Sequence, residues 1–214
     1  MRFLKFGFLL LLSNTLFSQK KVSKIFELTS KEIVINSIGL DNLKLENSEN
    51  NFVEVTLLAE SYDDQLIIID ENEQESLIKF HFEGTQTREV VFRKFITKRL
   101  QRAEAVVKIP KNVKVIITGQ NVDIQSNNIL NKLEVLIENG IIKLNSLKKD
   151  ATVKLYAGNV YANSKESDLD ISSNLGKIKV DDKIYKEKFK RDKKSNTIKL
   201  LISSVKANIF LTNN

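Results

Sequence analysis

The chain has 214 residues, of which 29% are charged and 42% hydrophobic, and it carries a formal net charge of +7 and no cysteine. The absence of cysteine excludes disulfide bonds, thiolate nucleophiles and cysteine-ligated metal or iron–sulfur sites. A chain of this length buries enough apolar surface to fold without such cross-links.

Residues 1–18 have the three-part pattern of a secretory signal peptide. Arg2 and Lys5 give a positive start, and residues 6–12 form a short apolar stretch before the polar residues that end the segment. That stretch is too short to span a bilayer. We therefore predict a signal peptide, export to the periplasm, the cell surface or the medium, and no transmembrane segment after its removal.

Residues 31–118 consist mainly of short segments in which apolar and polar residues alternate. A period of two, with Ile, Val and Phe between clusters of Asn, Asp, Ser and Glu, is typical of β-strands separated by turns. The segments are KEIVIN (31–36), NLKLEN (42–47), FVEVTLL (52–58), QLIIID (65–70), LIKFHFE (77–83), EVVFRKFI (89–96), EAVVKI (104–109) and VKVIIT (113–118). A helix is plausible only in residues 95–107, so the fold class predicted here is all-β.

A shorter unit takes over after Pro110. Gly119, Gly140, Gly158 and Gly176 are 21, 18 and 18 residues apart. Apolar pairs follow the last three glycines at matching offsets: Ile142 and Leu144, Val160 and Ala162, Ile178 and Val180. A second alternating strand precedes each of these turns: KLEVLIE (132–138), ATVKLY (151–156) and DLDIS (168–172). We assign the four glycines to turns of the repeat.

A fixed period of about 20 residues is typical of stacked repeats, whose units bury their apolar side only against their neighbours. We therefore predict a single-stranded, right-handed β-solenoid, a β-helix-like stack of short two-strand rungs with a strand-rich N-terminal half. The alternative is a meander of hairpins in a β-sandwich, which also produces evenly spaced turns. The predicted organisation is a signal peptide (1–18), a strand-rich part (19–110) and a repeat part (111–214), the last two forming one continuous domain (19–214).

The second half resembles a known family. The segment VKIPKNVKVIITGQNVDIQ (107–125), the glycine-led units after it and the closing SSVKANIFLTNN (203–214) are similar to the bacterial adhesin-like β-solenoid family. Its members are known as domains of unknown function or as head domains of autotransporter adhesins. The resemblance covers about residues 104–214 and, more weakly, 30–103. It implies an exported, non-enzymatic β-solenoid, and its motif describes a scaffold, not a reactive site.

Candidate catalytic and metal-binding residues are few. The single histidine, His81, alternates with two phenylalanines and is predicted to lie on the solvent side of a strand. No G-x-S-x-G motif supplies a serine for a catalytic triad around it. The acidic run DENEQE (70–75) lacks the glycine that a calcium-binding EF-hand loop requires at its sixth position. We predict no catalytic residue, no metal site and no cofactor.

Charge is segregated into blocks. Residues 60–75 contain seven acidic side chains and no basic one, whereas residues 88–102 and 183–194 contain six and seven basic side chains. The basic blocks predict a patch for an anionic envelope polymer, glycan or protein. The predicted patch consists of Arg93, Lys94, Lys98, Arg99, Lys186, Lys188, Lys190 and Arg191. Ordinary exposed faces, with opposite charges offsetting one another across strands, are the alternative. Nucleic acid is disfavoured as a partner, because the protein is predicted to be exported and the sequence contains no recognised nucleic-acid-binding motif.

These observations predict an exported, non-enzymatic β-solenoid with a structural or adhesin-like role at the cell envelope or surface. Stacked rungs suit this role because they present long faces of regularly spaced side chains. Two alternatives are a carbohydrate-active enzyme, since β-helices also carry carboxylate sites along one face, and an envelope sensor or partner subunit. An enzyme requires carboxylates from successive rungs to converge in a groove.

Overall fold

A computed structural model of the protein describes residues 20–59, 64–83, 103–165, 167–193 and 198–213. These residues form 17 strands and include no helix, so none of them belongs to a helix that could cross a membrane. The strands join into one mixed, hydrogen-bonded sheet, which confirms the all-β prediction. The predicted signal peptide lies outside the described residues.

The strands are short except for two. Those of the N-terminal part are β1 (Lys20–Glu27), β2 (Glu32–Asn36), β3 (Asn42–Asn47), β4 (Phe52–Ala59), β5 (Asp64–Glu71), β6 (Glu75–Glu83) and β7 (Ala103–Ile109). Those that follow Pro110 are β8 (Lys114–Asn121), β9 (Asp123–Asn127), β10 (Lys132–Asn145), β11 (Ala151–Asn163), β12 (Ser167–Ser173), β13 (Ile178–Val180), β14 (Lys183–Tyr185), β15 (Lys188–Arg191), β16 (Ile198–Ser204) and β17 (Asn208–Thr212).

Hydrogen bonding arranges the strands in two rows. The first row runs β5, β6, β2, β8, the first half of β10, the first half of β11, β16, β12 and β15. The second row runs β1, β4, β7, β3, β9, the second half of β10, the second half of β11, β17, β13 and β14. The two rows belong to one sheet because β10 and β11 run through both.

The middle of each row is parallel and in register. Between β10 and β11 every paired residue is 18 positions from its partner, as for Val135 with Val153 and Ile142 with Val160. We call one first-row strand and the second-row strand that follows it a rung. Apolar residues of neighbouring rungs thus lie directly above one another, which is what the glycine spacing in the sequence predicts.

The order of the rungs in the stack differs from their order in the chain. The last rung, β16 and β17, lies between β11 and the rung of β12 and β13. Near the other end, β2 and β3 lie between β6 and β7 on one side and β8 and β9 on the other. Segments from both ends of the described chain are therefore interior members of the stack, held by parallel pairing on two sides.

Alternation along each strand separates core from surface. The buried side chains of both rows form one hydrophobic cluster, which contains 40 residues rich in Ile, Leu and Val. In the segment 177–180, Ile178 and Val180 are buried while Lys177 and Lys179 point outward, as the sequence predicts. Burying an aliphatic side chain of this size contributes about 2 kcal/mol, so the cluster holds the stack together.

A column of close backbone contacts marks the corner between the rows. Gly140 and Gly158 have φ angles of +154° and +123°, which side chains other than glycine rarely allow. A Cβ atom would lie 1.9 Å from the Val122 carbonyl oxygen at Gly140, and 2.0 Å from the Gly140 carbonyl oxygen at Gly158. At Gly176 the Cβ atom would lie 1.8 Å from the carbonyl oxygen of Ala207. Ala207 directly precedes Asn208, which pairs with Asn159, so Ala207 corresponds to Gly158 in the register.

Gly119 lies outside this column. It pairs with Ile137 of β10, and an added Cβ atom would meet the hydroxyl of Ser37 at 2.0 Å. The obstacle at Gly119 is therefore a side chain, whereas the obstacles at the three later glycines are backbone carbonyl groups.

Both ends of the stack change to antiparallel pairing. At one end β1 and β5 pair antiparallel with β4 and β6, and at the other end β14 and β15 pair antiparallel with β13 and β12. In the described residues the outermost strands of the two rows are thus β1 and β5 at one end and β14 and β15 at the other. We call residues 181–193, which include β14 and β15, the cap.

Candidate binding face

The outer side of the second row carries a straight line of aligned side chains. Six residues on neighbouring strands are direct register partners and point away from the core, and we call them the central stripe. In stack order the central stripe is Lys44, Gln125, Lys143, Tyr161, Phe210 and Lys179. Five strand spacings of about 4.8 Å give it a length of about 24 Å.

An aromatic pair lies in the middle of the central stripe. The rings of Tyr161 and Phe210 are stacked, with centroids 5.0 Å apart and planes at 11°. Tyr161 is 41% exposed although its ring is large and apolar. The stacking stabilises the contact between β11 and β17, and the pair also forms an apolar surface with a phenol hydroxyl at its edge.

Lysines flank the aromatic pair on both sides. Lys143 precedes Tyr161 in the stripe and Lys179 follows Phe210, while Lys177 lies beside Lys179 on the same strand face. Lys179 has an ion pair of 3.8 Å with Asp182, whose side chain is fully exposed. An ion pair of this kind between solvated groups is weak, so Lys179 can exchange Asp182 for another anion.

Hydrogen-bonded asparagines run along both sides of the central stripe. The Asn208 amide nitrogen donates to the Asn159 side-chain oxygen at 3.2 Å on one side. On the other side the Asn145 amide nitrogen donates to the Asn127 oxygen at 2.9 Å. Each amide has two N–H groups, and such a ladder bond uses one of them. The ladders therefore fix the amides while leaving donor and acceptor capacity at the surface.

A shallow depression of about 290 Å³ lies at the Lys44 end of the central stripe, and three stripe residues line it: Lys44, Gln125 and Lys143. Glu104 and Asp123 both line it, and they are separated by one intervening strand, β3. The Asp123 carboxylate accepts the backbone N–H of Ile141 at 2.7 Å, which assigns that side chain a structural role.

The predicted basic patch is partly described. Arg93, Lys94, Lys98 and Arg99 lie outside the described residues. Lys186, Lys188 and Lys190 are exposed on the cap, with Lys188 and Lys190 on one face of β15. Lys190 forms an ion pair of 3.5 Å with Asp192, and both side chains are mostly exposed. The patch as a binding site for anions stays a prediction.

Arg191 has a different environment from the cap lysines. Its guanidinium group donates to the side-chain oxygen of Asn213 at 2.7 Å, to the backbone oxygen of Ser167 at 3.3 Å and to the backbone oxygen of Ser164. Arg191 therefore ties the cap to the turn that begins β12 and to the end of the described chain. The charge run of residues 183–194 does not by itself indicate this role.

The other sequence candidates occupy turns and solvent-facing positions. His81 is exposed on the outer side of β6, as predicted. The acidic run of residues 70–75 forms the β5–β6 hairpin turn, where the Asn72 side-chain oxygen accepts the N–H groups of Gln74 and Glu75 at 2.9 Å. In the described part of the chain, no three His, Cys, Asp or Glu side chains group to hold a metal ion.

Two cross-strand ion pairs raise the pKa values of lysines on the outer surface. Hydrogen bonding to Glu54 at 2.8 Å raises the pKa of Lys108 above its ordinary value of 10.5. Hydrogen bonding to Glu32 at 2.7 Å raises the pKa of Lys114 in the same way. Each ion pair joins directly paired residues of neighbouring strands, so these charges stabilise the pairing of the strands.

Sequence reasoning missed the aromatic pair, although a signal for it exists. Tyr161 occurs in Asn159–Val160–Tyr161 and Phe210 in Asn208–Ile209–Phe210, so both strands carry the pattern Asn, buried aliphatic, aromatic. This pattern predicts that two aromatics share a position in their rungs. It does not predict that the rungs are neighbours, because they are 49 residues apart in the chain.

One comparison with known proteins bears on the fold of the chain. No protein-family model matches the chain, and no curated protein sequence matches it. The crystal structure of a "putative cell adhesion protein" from Clostridium sporogenes is similar with a TM-score of 0.62 and 13% identity, covering 91% of this chain and 99% of that one. A "putative adhesin" from Bacteroides fragilis covers 91% and 98% at 12% identity, with a TM-score of only 0.33. The first likeness shows a shared fold.

Proposed function

We propose that the protein is an exported, non-enzymatic β-solenoid with an adhesin-like role, which binds a partner in the cell envelope or outside the cell. The observation that carries the proposal is the central stripe, a line of outward side chains in which the exposed Tyr161 ring stacks on the half-buried Phe210 ring. Exposed apolar groups set among fixed polar groups are typical of binding surfaces. The fold shared with the Clostridium sporogenes protein, which is described as a "putative cell adhesion protein", supports the same role.

The solenoid architecture is itself part of the proposal. Seven neighbouring rungs of the stack pair in parallel, and residues 18 apart coincide between β10 and β11. A right-handed path agrees with the strong preference of parallel strand connections for that hand. A stack of this kind is suited to binding because its faces are rigid and its side chains repeat at the strand spacing.

Export follows from the N-terminal pattern in the sequence. Expression of the full chain in a bacterial host, followed by N-terminal sequencing of the protein released from the periplasm or medium, tests it. The expected first residue is Gln19. A cell-associated product that still begins at Met1 would contradict the proposal.

The binding role is tested with the exported protein and isolated cell envelopes or extracellular polymer. Labelled wild-type protein is expected to bind saturably, and the Tyr161→Ala/Phe210→Ala variant is expected to lose most of that binding. Tyr156→Ala is the matched control, because Tyr156 is 51% exposed but lies away from the central stripe, with Lys206 over its ring at 5.2 Å. Equal binding by all three proteins would contradict a role for the stripe.

The cap lysines provide a second test within the same assay. If the predicted basic patch carries the affinity, Lys186→Gln/Lys188→Gln/Lys190→Gln weakens binding and makes it less dependent on salt. If the central stripe carries it, this variant binds like wild type.

One observation favours the enzyme alternative, namely that Glu104 and Asp123 share the shallow depression. A pair of carboxylates flanking a bound sugar is the arrangement that glycoside hydrolysis requires. Incubation of the exported protein with glycans that it binds, followed by measurement of new reducing ends, decides between the two functions. Release that disappears in Glu104→Gln would establish catalysis, and unchanged glycan is the result expected for a binding protein.

A further inference from the structure

The central stripe has the dimensions of an extended polymer, not of a compact ligand. Its six residues are direct register partners along the stack, and no turn interrupts the line between Lys44 and Lys179. One step along the stripe is about 4.8 Å, which is close to the length of one pyranose unit in an extended polysaccharide. A chain of about five sugars therefore matches it in length and in repeat.

The charged residues of the central stripe are all positive. It contains three lysines and no carboxylate, and Lys177 adds a fourth cation beside it. The nearest carboxylates are Glu46, whose ion pair with Lys44 is 3.0 Å, and Asp182, whose ion pair with Lys179 is 3.8 Å. Both ion pairs are solvent-accessible and therefore weak, so a carboxylate of a ligand can replace either of them. The stripe thus complements a ligand that carries negative charges at intervals.

The aromatic pair and the asparagine ladders indicate which uncharged groups the ligand carries. The Tyr161 and Phe210 rings offer apolar surface to the C–H groups of a sugar, and the phenol hydroxyl can donate or accept a hydrogen bond. The asparagine ladders on both sides offer amides to sugar hydroxyl groups.

We propose that the central stripe binds a linear polysaccharide bearing carboxylate groups, which lies along the stack across β3, β9, β10, β11, β17 and β13. The carboxylates pair with Lys44, Lys143 and Lys179, and one sugar rests against the Tyr161–Phe210 pair. This inference rests on the proposed binding function and adds the chemical class of its ligand.

The test uses the exported protein and oligosaccharides of galacturonic acid or alginate, with neutral cello-oligosaccharides and anionic phospholipid vesicles as comparison ligands. Calorimetric titration is expected to show saturable binding of the carboxylated oligosaccharides and much weaker binding of the neutral ones. Affinity is expected to fall as salt rises, because ion pairs at an exposed face are screened. Stronger binding of neutral glycans, or of vesicles, would overturn the proposal.

Variants locate the site. Tyr161→Ala is expected to weaken binding about tenfold, since an aromatic contact of this kind is worth about one factor of ten in affinity. Lys143→Gln/Lys179→Gln is expected to weaken it by a similar factor and to flatten the salt dependence. Tyr156→Ala and Lys154→Gln/Lys199→Gln, which change exposed residues outside the stripe, are expected to bind within about twofold of wild type. Thermal unfolding of every variant is measured first, so that a loss of binding is compared only between folded proteins.

The outcomes separate the two proposals. If cell envelopes bind through Tyr161 and Phe210 but carboxylated glycans do not bind, the ligand class is wrong and the binding role stands. If the glycans bind equally well to wild type and to the Tyr161 and Lys143→Gln/Lys179→Gln variants, the site is wrong. If neither envelopes nor glycans bind, both proposals fail.

Discussion

Substitution of Gly158 by alanine tests the packing of the rungs at its closest point. The added Cβ atom would lie 2.0 Å from the Gly140 carbonyl oxygen, about 1.4 Å inside the 3.4 Å limit of ordinary contact, and 2.9 Å from the Gly140 nitrogen. These atoms belong to the backbone of the neighbouring rung, so they cannot rotate away. The backbone at Gly158 also has a φ of +123°, which alanine rarely adopts.

The cost of the atomic overlap and the cost of the disfavoured φ angle can be estimated separately. Overpacking a site that must shift costs about 1–3 kcal/mol. Holding a residue with a side chain in a disfavoured backbone region costs about 1–3 kcal/mol more. We therefore expect Gly158→Ala to lower the free energy of unfolding by about 4 kcal/mol, a large share of the stability of a typical domain. In a protein of this size the thermal midpoint would fall by roughly 8–16 °C.

Gly119→Ala is the matched control, because the added Cβ atom there meets a side chain and not the backbone of a neighbouring rung. The Ser37 hydroxyl lies 2.0 Å from the added Cβ and donates to the Thr118 carbonyl oxygen at 2.9 Å. Displacing it costs one hydrogen bond, or about 1 kcal/mol. That cost should vanish when Gly119→Ala is introduced into Ser37→Ala protein. Chemical denaturation followed by circular dichroism measures all four variants, and equal losses for Gly158→Ala and Gly119→Ala would refute the reasoning.

The remaining predictions concern the order of the stack, the cap and the outer charges. Deleting residues 198–214 removes four fully buried aliphatic side chains from between two rungs, a loss of about 8 kcal/mol, so the truncated protein should give no cooperative unfolding transition. A sharp transition near the wild-type midpoint would contradict the interior placement of β16 and β17. Arg191→Met should lower the free energy of unfolding, measured with denaturant, by about 2 kcal/mol, because the Ser164 backbone oxygen and its neighbours lose a charged donor. A decrease below about 0.5 kcal/mol would contradict the role of Arg191 at the cap. The raised pKa of Lys108 implies an ion-pair contribution to stability that is complete below the unfolded-state pKa of 10.5 and is lost as pH rises through the higher folded-state value. NMR titration of the Lys108 side chain should therefore give a pKa above 10.5 that Glu54→Gln lowers, and an unchanged pKa would exclude Glu54 as the cause.

Strands and their inner faces could be predicted from the sequence because alternation follows directly from strand geometry. In residues 177–180 the pattern assigns the buried and exposed side chains as the structure has them, and the same holds for His81. The pairing of Gly140 with Gly158 also follows from the sequence, since both glycines lie 18 residues apart in otherwise similar units.

The order of the rungs could not be predicted from the sequence. Leu200 and Ile202 of β16 alternate in the same way as Leu169 and Ile171 of β12, so either strand satisfies the apolar side of β11. Only the pairing register shows that β16 and β17 are inserted between β11 and the rung of β12 and β13. A pattern of apolar and polar residues does not contain that information.

The candidate site shows the same limit. Tyr161 and Phe210 become neighbours only because of the inserted rung, so the aromatic pair is invisible until the stacking order is known. Charge counting pointed to the cap, where Arg191 is committed to hydrogen bonds within the protein. Composition identifies charged segments, but only the fold shows which of their members face solvent together.

The most direct test of the proposed binding face is an NMR titration of isotope-labelled, exported protein with a carboxylated oligosaccharide. Chemical-shift changes should be concentrated at Lys143, Tyr161, Phe210 and Lys179 and in the asparagines beside them, and should saturate with one dissociation constant. Changes confined to the cap lysines, or no saturable change at any backbone amide, would contradict binding at the central stripe.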